Sequence, residues 1–506
     1  MSLPLTPLRV PVTPVASTLA KDRLGISSVA FFVITAAAPL TVVAGTLATA
    51  YAVTGNLGLP AAFAVVGLEL LVFSVGYVTM SRHLPHAGAF YAYASHGLGR
   101  TAGVSTAWVA LAAYNMIQVS LYGAIGAAVS PLAMDWFGVD LPWWVFAVVA
   151  WAVIALLGVL RIDLNGGVLA VLLLAEITLI VVFDGSYLLH PAHGMSWGSW
   201  SVSELFAPGV GAIIAISMLG FVGFESAVVF AEESRNPART IPRTTYLSVV
   251  LIAVLYGVSS WAMAVAAGPA QIADAATKQG PDLVFNLASA HLGGGAATLG
   301  HVLFATSIVA AGISFHNTIA RYMFALGRER VLPAAFGRTS ASGSPRVGSI
   351  AQSAIGLTVI VVYAVGGWDP VIKLFYTAST SGALGVLLLL VFAGLAVLRF
   401  FAHDRRGEDT WHTLTAPALA LVGLSVMLVL VLANFATLLG VPETDPLRWG
   451  IPAVFAVTAL IGAGYGLWLK ALRPETFAAI GMGAKAALVP PVDHTPYPAS
   501  VPGGVA

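Results

Sequence analysis

The chain has 506 residues, of which 58% are hydrophobic and only 9% are charged, and its mean hydropathy is +0.90. Water-soluble domains usually carry about 25% charged residues, so this composition excludes a soluble protein and predicts an integral protein of the lipid bilayer. The net charge of +1 and the lack of a basic run give no indication of a nucleic-acid partner. Cysteine is absent, which excludes disulfides, thiol catalysis and thiolate metal sites.

The chain is predicted to cross the membrane twelve times. Residues 1–25 lack the apolar core and cleavage site of a signal peptide and are predicted to form a cytoplasmic tail. A helix needs roughly 20 apolar residues to cross a bilayer. Runs of that kind predict spans 1 to 12 at about 26–52, 60–80, 102–130, 143–161, 165–188, 207–231, 244–267, 296–325, 347–366, 371–399, 413–438 and 448–470. The proline-rich residues 471–506 are predicted to form a flexible cytoplasmic tail.

The positions of Lys and Arg predict the orientation of these spans. With the N-terminus inside, twenty of the 23 Lys and Arg residues fall on the cytoplasmic side, and only Lys278, Lys373 and Arg448 fall outside. Positive residues concentrate on the cytoplasmic side of membrane proteins. We therefore expect a multi-pass protein of the cell's inner (cytoplasmic) membrane with both termini in the cytoplasm.

Span 1 is predicted to be interrupted at Pro39, about halfway along it. Proline removes a backbone donor, disfavours helical geometry at the preceding Ala38 and suits the first position of a new helix. Such a break leaves the amides of Leu40 and Thr41 free to face an anion such as a carboxylate. The alternative is a simple proline kink, which is common in membrane helices.

Span 6 is the second candidate for a broken helix. Gly220 and Gly223 bracket Phe221, and Glu225 follows within the same apolar run. Glycines three residues apart more often mark a packing face, but a carboxylate in lipid costs several kcal/mol unless it is neutral, paired or hydrated. Transporters place substrates between two such broken helices, which favours the functional reading.

Three further segments carry a family resemblance. They are Pro-His-Ala-Gly-Ala-Phe-Tyr-Ala-Tyr at 85–93, Gly-Phe-Glu at 223–225 with Glu-Glu-Ser-Arg-Asn-Pro-Ala-Arg-Thr-Ile-Pro-Arg at 232–243, and Arg-Tyr-Met-Phe-Ala-Leu-Gly-Arg-Glu-Arg-Val-Leu-Pro at 321–333 with Gly-Ser-Pro at 343–345. In these segments and in its span count the chain resembles the amino acid–polyamine–organocation (APC) superfamily of permeases. The resemblance implies an all-α, leucine-transporter-type fold of two inverted repeats of five spans, at 26–188 and 207–399, plus two further spans at 413–470.

The resemblance also implies where the substrate binds. Most amino acid carriers of the family have a Gly-Ser-Gly-like break in the first helix, where this chain has Ala-Ala-Ala-Pro-Leu-Thr at 36–41. The substrate is expected between the breaks of spans 1 and 6, walled by spans 3, 8 and 10. Helix-end carbonyls around Ile216–Leu219 would attract ammonium, so a cationic amine is predicted. The expected contact residues are Ala37, Ala38, Pro39, Leu40, Thr41, Tyr114, Gln118, Ser217, Leu219, Gly220, Phe221 and Gly223.

Several of these residues have a second reading. Phe221 lies where the family often has an aromatic gate, although a Phe in a membrane helix usually serves packing. Tyr114 and Gln118 either reach the cavity or hydrogen-bond between helices. His316 is expected to be satisfied by a neighbour. The acids Glu232 and Glu233 are expected to pair with the arginines at 235, 239 and 243 and to close the cytoplasmic side.

Acidic residues inside the spans are the candidates for ion coupling. Glu225 aligns with an acid in some proton-coupled members of the family, and Glu69 has no motif around it. Glu176 lies eleven residues into span 5, roughly 16 Å along the helix, where several family members carry a Lys that is thought to replace a sodium ion near broken helix 1. Burial disfavours the charged form of a carboxyl, so Glu176 and Glu225 are predicted to carry a proton. The rival reading of Glu176 is a hydrogen bond that merely joins helices.

These patterns predict a secondary active transporter, a permease that moves an amino acid or small organic amine, polyamines included, by alternating access. Proton symport is the expected mode, and ion-independent exchange is the alternative. No cofactor or metal is expected, and the oligomeric state stays open. An integral-membrane enzyme is disfavoured because no acids or histidines cluster in metal or nucleophile spacing.

Overall fold

The computed structural model describes residue 19 and residues 21–160, 162–340 and 343–488. In these ranges the chain is helical, apart from loops and two isolated β-bridges. Each predicted span corresponds to a helix or to consecutive helical segments. Spans 1 to 12 run Ile26–Thr54, Leu59–His83, Arg100–Phe137, Trp143–Val159, Ile162–Leu189, Val210–Glu233, Pro237–Ala267, Gly294–Arg328, Arg346–Val365, Pro370–His403, Trp411–Ala433 and Leu447–Leu472.

Short helices connect the spans. Ala89–Gly97 lies between spans 2 and 3, and Gly198–Trp200 and Val202–Leu205 lie between spans 5 and 6. Ile272–Gln279 and Asp282–Leu292 join spans 7 and 8, Ala334–Gly337 joins spans 8 and 9, and Phe435–Leu439 follows span 11.

The lengths and composition of the helices agree with the membrane prediction. Eleven helices in the described part of the chain are long and apolar enough to cross a bilayer. The remaining span, Trp143–Val159, has 17 residues and no charge. Its length is about 25 Å at 1.5 Å per residue, the short limit for a transmembrane helix. The protein is therefore an all-α, multi-pass membrane protein.

The residues after span 12 differ in part from the predicted flexible tail. Pro474–Ala479 forms a helix and Gly483–Leu488 a short 3₁₀ helix, with the buried Ile480 between them. Glycine amides in this segment form hydrogen bonds with a distant part of the chain, and these bonds hold the segment in place. A composition rich in proline does not predict such bonds. Residues 1–18, 20 and 489–506 of the two predicted tails lie outside the described residues.

Span 1 is interrupted where the sequence predicts. Helix Ile26–Ala36 ends, Ala38 adopts the left-handed conformation with φ +48° and ψ +66°, and Pro39 is the first residue of the next half-helix. That half continues through the π-helical turns Val42–Leu47 to Thr54. A left-handed non-glycine residue costs roughly 1–2 kcal/mol, so the surrounding packing must hold the break open.

Span 6 is interrupted at the same depth. Helix Val210–Gly220 ends, Gly223 has a φ of +115°, and the chain continues as the 3₁₀ helix Phe224–Glu233. A Cβ placed on Gly223 would lie 2.8 Å from the Cβ of Ala36 and 3.1 Å from the amide nitrogen of Ala37. The two breaks are therefore in direct contact, and only glycine provides both the conformation and the space.

This contact leads to a stability prediction for Gly223→Ala. The new methyl group needs an unfavourable φ and overlaps Ala36, which together should cost about 2 kcal/mol or more. Thermal denaturation of the detergent-solubilised protein, followed by size-exclusion chromatography, should show a lower midpoint. Gly185→Ala in span 5 is the control, because a Cβ there meets nothing within 4 Å. Equal midpoints for the two variants would contradict the proposed close contact.

Candidate substrate and ion site

A cavity lies beside the two breaks. Its empty space, including its open mouth, is about 1010 Å³. Spans 1, 3, 6, 8 and 10 and the helix Phe435–Leu439 form its wall, which matches the predicted walls of spans 3, 8 and 10. The polar groups on the wall are the hydroxyls of Thr41, Thr46, Thr49, Ser120, Tyr376, Ser379, Thr380 and Thr437, and no charged side chain is among the described lining residues.

The cavity lining extends from Ala36–Ala38, at the break in span 1, to Val53 near the end of that span, where the side chain is 46% exposed. We call this end of the helix bundle the distal face. The opposite end, the terminal face, carries the chain segments around Leu24 and Gly481. Leu24 donates its amide to the carbonyl of Glu233 at 3.0 Å, so the N-terminal segment is fixed to the end of span 6.

The structure separates the predicted contact residues into two groups. Ala37, Ala38, Thr41 and Leu219 line the cavity. The others do not line it in this conformation; they are Pro39, Leu40, Tyr114, Gln118, Ser217, Gly220, Phe221 and Gly223. Of this second group, Pro39, Leu40, Gly220, Phe221 and Gly223 belong to the backbone breaks themselves.

Phe221 packs against span 2 in this conformation. Its ring centroid lies 6.1 Å from that of Phe63, and the side chain is fully buried. The aromatic residues on the cavity wall are instead Phe315, Phe375 and Tyr376. Sequence reasoning missed these three, because only the rotation of spans 8 and 10 about their axes decides which of their side chains face the cavity.

Other polar side chains of spans 3 and 8 form hydrogen bonds within the helix bundle. Gln118 donates to the hydroxyl of Tyr122 at 3.1 Å within its own span. Asn115 donates to the carbonyl of Leu111 at 2.8 Å. The Nε2 atom of His316 lies 2.7 Å from the hydroxyl of Ser349 in span 9. Its Nδ1 atom is buried without a hydrogen-bond partner among the described residues, so the expectation of a satisfied His316 holds for one ring nitrogen only.

The side chain of Glu176 lies at the break in span 1. Its Oε2 atom accepts a hydrogen bond from Ser307 of span 8 at 2.8 Å and lies 3.5 Å from the amide nitrogen of Leu40. The hydroxyl of Thr41 in turn donates to Ser307 at 3.2 Å. Thr41 lines the cavity, so a chain of hydroxyl groups links the cavity wall to the buried acid. The partner Ser307 carried no sequence signal, because it lies 131 residues from Glu176.

The side chain of Glu225 lies at the break in span 6 and also faces a backbone amide. Its Oε2 accepts from the amide of Gly223 at 2.8 Å, and its Oε1 accepts from the hydroxyl of Tyr114 at 2.9 Å. Its backbone carbonyl accepts from Tyr77 of span 2 at 3.1 Å. Each break therefore has one buried carboxyl group directed at a backbone amide that the interruption leaves without a helical partner.

Glu69 lies elsewhere. Its carboxyl packs against Gly423 of span 11, where a Cβ would come within 2.3 Å of the Glu69 carboxyl carbon. It is absent from the described cavity lining. Glu69 therefore belongs to the contact between spans 2 and 11.

Two ion pairs close the terminal face. Arg321 donates from Nε and Nη2 to the carboxylate of Glu233 at 2.5 and 3.1 Å, and both side chains are about 1% exposed. Arg328 makes two bonds of 2.6 Å to Glu232. The expected partners at 235, 239 and 243 are wrong for these acids, because the end of span 8 packs against the end of span 6 and supplies both arginines.

A third carboxylate, Glu329, holds the C-terminal segment Pro474–Leu488 at this closed face. It accepts hydrogen bonds from His86 at 2.7 Å, from the amides of Gly481 at 2.7 Å and Gly483 at 2.6 Å, and from the hydroxyl of Tyr91. Burial alone would raise the pKa of Glu329, but these bonds outweigh it and hold the pKa below the usual carboxyl range. Both glycines have positive φ, of +81° and +59°, so their amides turn toward the one anion.

Solved structures share this fold. A manganese transporter of Eremococcus coleocola, solved in complex with an aromatic bis-isothiourea substituted compound, superimposes with a TM-score of 0.55 at 13% identity, covering 90% of this chain and 98% of the other. The architecture is thus the leucine-transporter-type fold of two inverted repeats.

The sequence comparisons identify the family. The profile of the amino acid permease family matches residues 24–461, and the chain belongs to this family. The low-affinity putrescine importer PlaP of Escherichia coli K12 is 23% identical over 367 residues, which cover 69% of this chain and 75% of the relative. The lysine-specific permease LysP of Lactococcus lactis is 22% identical, covering 70% and 71%. The gamma-aminobutyric acid permease of Bacillus subtilis is 23% identical, covering 66% and 71%. The protein is a secondary transporter.

The attachment of the C-terminal segment can be tested with Glu329→Gln. An amide cannot accept four hydrogen bonds, so the Gly481 and Gly483 amides should exchange hydrogen on the order of 10- to 100-fold faster, corresponding to about 1.5–3 kcal/mol per charged bond. Hydrogen–deuterium exchange with mass spectrometry measures this directly. Because the pKa of Glu329 is lowered by folding, the wild-type attachment should hold through neutral pH and weaken only as pH falls below the usual carboxyl range.

Glu408→Gln is the matched control for this experiment. Glu408 pairs with Arg82 at 3.4 Å, and among the described residues no hydrogen bond or ion pair joins it to the C-terminal segment. Exchange at 474–488 should therefore stay at the wild-type rate. Unchanged exchange in Glu329→Gln as well would show that the carboxylate does not hold the segment.

Proposed function

We propose that the protein is a proton-coupled importer of a small cationic amine, or of an amine-bearing amino acid, in the cytoplasmic membrane. The observation that carries the proposal is the buried carboxyl of Glu176, held between Ser307 and the first turn of the second half of span 1. The charge of that carboxyl acts on the backbone that substrate binding and alternating access must rearrange.

The charges around the cavity support a cationic substrate. Glu176 and Glu225 adjoin the two breaks, and no cationic side chain is among the described lining residues. The carbonyl end of helix Val210–Gly220 adds further negative potential. The amide of Leu40, which the sequence offers to a substrate carboxylate, instead faces Glu176. A substrate anion would have to displace this acid, whereas an ammonium group would not.

The relatives support the same class of compound. They are named for putrescine, lysine and gamma-aminobutyric acid, and all three compounds carry an amino group. The eight hydroxyl groups of the cavity wall suit a flexible polar chain, because a hydroxyl both donates and accepts.

Glu176 suits the role of proton carrier for electrostatic reasons. An ionised carboxylate in the membrane interior costs several kcal/mol, and a protonated one does not. Its Oε1 atom is buried and has no hydrogen-bond partner among the described residues, so one side of the carboxyl is available for a proton or a water molecule. Loss of the charge would also release the amide of Leu40 and so loosen the break in span 1.

In this proposal the terminal face is cytoplasmic and the described conformation is open to the outside. The excess of Lys and Arg on the terminal side supports that orientation. The proposed division of the chain is a cytoplasmic tail at 1–25, inverted repeats at 26–188 and 207–399, two further spans at 413–470 and a cytoplasmic tail at 471–506. The breaks in spans 1 and 6, the first span of each repeat, support these bounds.

The residues at the breaks receive separate roles. Pro39, Leu40, Gly220 and Gly223 shape the interruptions, and Glu225 fixes the second one through Gly223 and Tyr114. Gln118, Ser217 and Phe221 are proposed to reach the substrate once the cavity closes. Phe221 would then leave Phe63 and cover the ligand.

The substrate class can be tested in proteoliposomes that contain the purified protein and an imposed pH gradient, acidic outside. Radiolabelled putrescine, lysine and gamma-aminobutyric acid should include at least one compound that accumulates above the level in protein-free liposomes. Glutarate and glucose serve as anionic and neutral probes. Accumulation of these probes alone would disprove the amine proposal.

Proton coupling can be tested with Glu176→Gln, using an amine that the wild type accumulates. Accumulation driven by the pH gradient should fall at least about tenfold, because glutamine cannot carry the proton, whereas exchange of labelled for unlabelled amine should persist. Glu69→Gln is the control and should keep both activities. A Glu176→Gln variant that accumulates amine with the wild-type response to pH would remove the coupling role, and a wild type that only exchanges would favour the exchanger.

A further inference from the structure

We propose that protons reach Glu176 from the outside through a second buried acid, Asp184, along a route separate from the substrate cavity. This inference rests on the proposed proton coupling. Asp184 lies in the same span as Glu176, eight residues further on, or about 12 Å toward the distal face. Its side chain is buried, and its Oδ2 atom accepts a hydrogen bond from Ser259 of span 7 at 2.7 Å.

The two acids are connected by the contact between spans 5 and 7. Near the break, the hydroxyl of Tyr256 in span 7 donates to the carbonyl of Ala37 at 2.9 Å, while Glu176 in span 5 faces Leu40 of the same break. One helical turn further along span 7, Ser259 reaches Asp184. Polar side chains thus extend from the break toward the distal face along both helices.

Each acid also has an unused oxygen. The Oδ1 atom of Asp184 and the Oε1 atom of Glu176 are buried and have no hydrogen-bond partner among the described residues. Buried polar groups in proteins are commonly satisfied by internal water, which also conducts protons between them. A proton taken from outside water would bind the Asp184 carboxylate, pass along bridging water and the Ser259 hydroxyl, and end on Glu176, leaving Asp184 ionised again.

This route does not coincide with the cavity. Neither acid, nor Tyr256 nor Ser259, belongs to the described cavity lining. The distal end of the route lies instead under the helix Asp282–Leu292, where Tyr187 donates to the carbonyl of Val284 and Phe183 packs on Phe285 at 6.5 Å. The proton and the substrate would then arrive at the break in span 1 from different sides.

Among the described residues, the helices packed near Asp184 carry few other ionisable groups. On its own helix are Glu176, Tyr187 and the exposed His190, which stacks on His291 of the covering helix at 4.1 Å. Span 7 contributes Tyr256, and span 8 contributes His301, which bonds to Asp282 at 3.1 Å. No ion pair of the described residues includes Asp184. Its charge is therefore not neutralised by a salt bridge, and a proton is the simplest way to remove it.

The test follows protonation of Glu176 without any substrate. Time-resolved infrared spectroscopy of the full-length protein in membranes records the carbonyl band of protonated carboxyl groups after a rapid drop in pH. The band missing from Glu176→Gln belongs to Glu176. In Asp184→Asn, which keeps the shape and the bond to Ser259, this band should appear at least about tenfold more slowly. Asp184→Glu should restore most of the rate.

The outcomes distinguish this inference from the proposed function. If the Glu176 band does not respond to pH in the wild type, proton coupling at Glu176 fails, and this inference fails with it. If the band responds equally fast in the wild type and in Asp184→Asn, only the route through Asp184 is wrong. Should Asp184→Asn not fold, Ser259→Ala takes its place: a severalfold slower band supports the route, and an unchanged rate overturns it.

Discussion

The structure depends on how two interrupted helices satisfy their backbone amides inside a membrane. Lipid offers no hydrogen bonds, so a break in a transmembrane helix is stable only if the protein supplies the missing partners. Here the acid Glu176 faces the amide of Leu40, and the acid Glu225 accepts from the amide of Gly223. The two breaks are in contact with each other, and the cavity lies beside them. Removing either acid leaves a buried amide unsatisfied. The carboxyl groups that are proposed to act in transport therefore also stabilise the two breaks.

This arrangement gives the acids two roles that a proton can switch. An ionised carboxylate binds a backbone amide strongly and attracts a cation, whereas a protonated carboxyl does both less well. The hydroxyls of Ser307 and Thr41 connect Glu176 to the cavity wall over two hydrogen bonds. In the proposed mechanism, a change in charge at Glu176 would alter the hydrogen bonds of the cavity wall without direct contact between proton and substrate. The coupling free energy of such a pair needs to be only 1–3 kcal/mol to make each ligand sensitive to the other.

The sequence predicted the architecture because its signals are local or periodic, whereas the pairing of side chains depends on distant segments. Runs of apolar residues located the spans, and Pro39 located the break in span 1, because proline acts on its own backbone. The pairing of Arg321 with Glu233, across 88 residues, depends on how two helices rotate and pack. The same limit explains why Phe221 was placed on the cavity wall although it packs on span 2. Asp184 was overlooked because it lies near the end of an apolar run, where an acid resembles an ordinary helix boundary.

The two faces of the bundle differ in what must be broken to open them. At the terminal face, the pair Arg321–Glu233 lies beneath the stacked rings of Phe32 and Phe230, whose centroids are 4.9 Å apart. Separating a buried pair without water leaves charges that cost about 3–5 kcal/mol, so this face can open only as water enters. The distal face has no comparable lock on the described cavity wall. The empty carrier should then rest open at the distal face. To open the terminal face, it must lower the free-energy cost of hydrating the Arg321–Glu233 pair. Alternating access therefore requires that ligand binding at the breaks lower this barrier, because a ligand shifts an equilibrium only by its differential affinity for the two states.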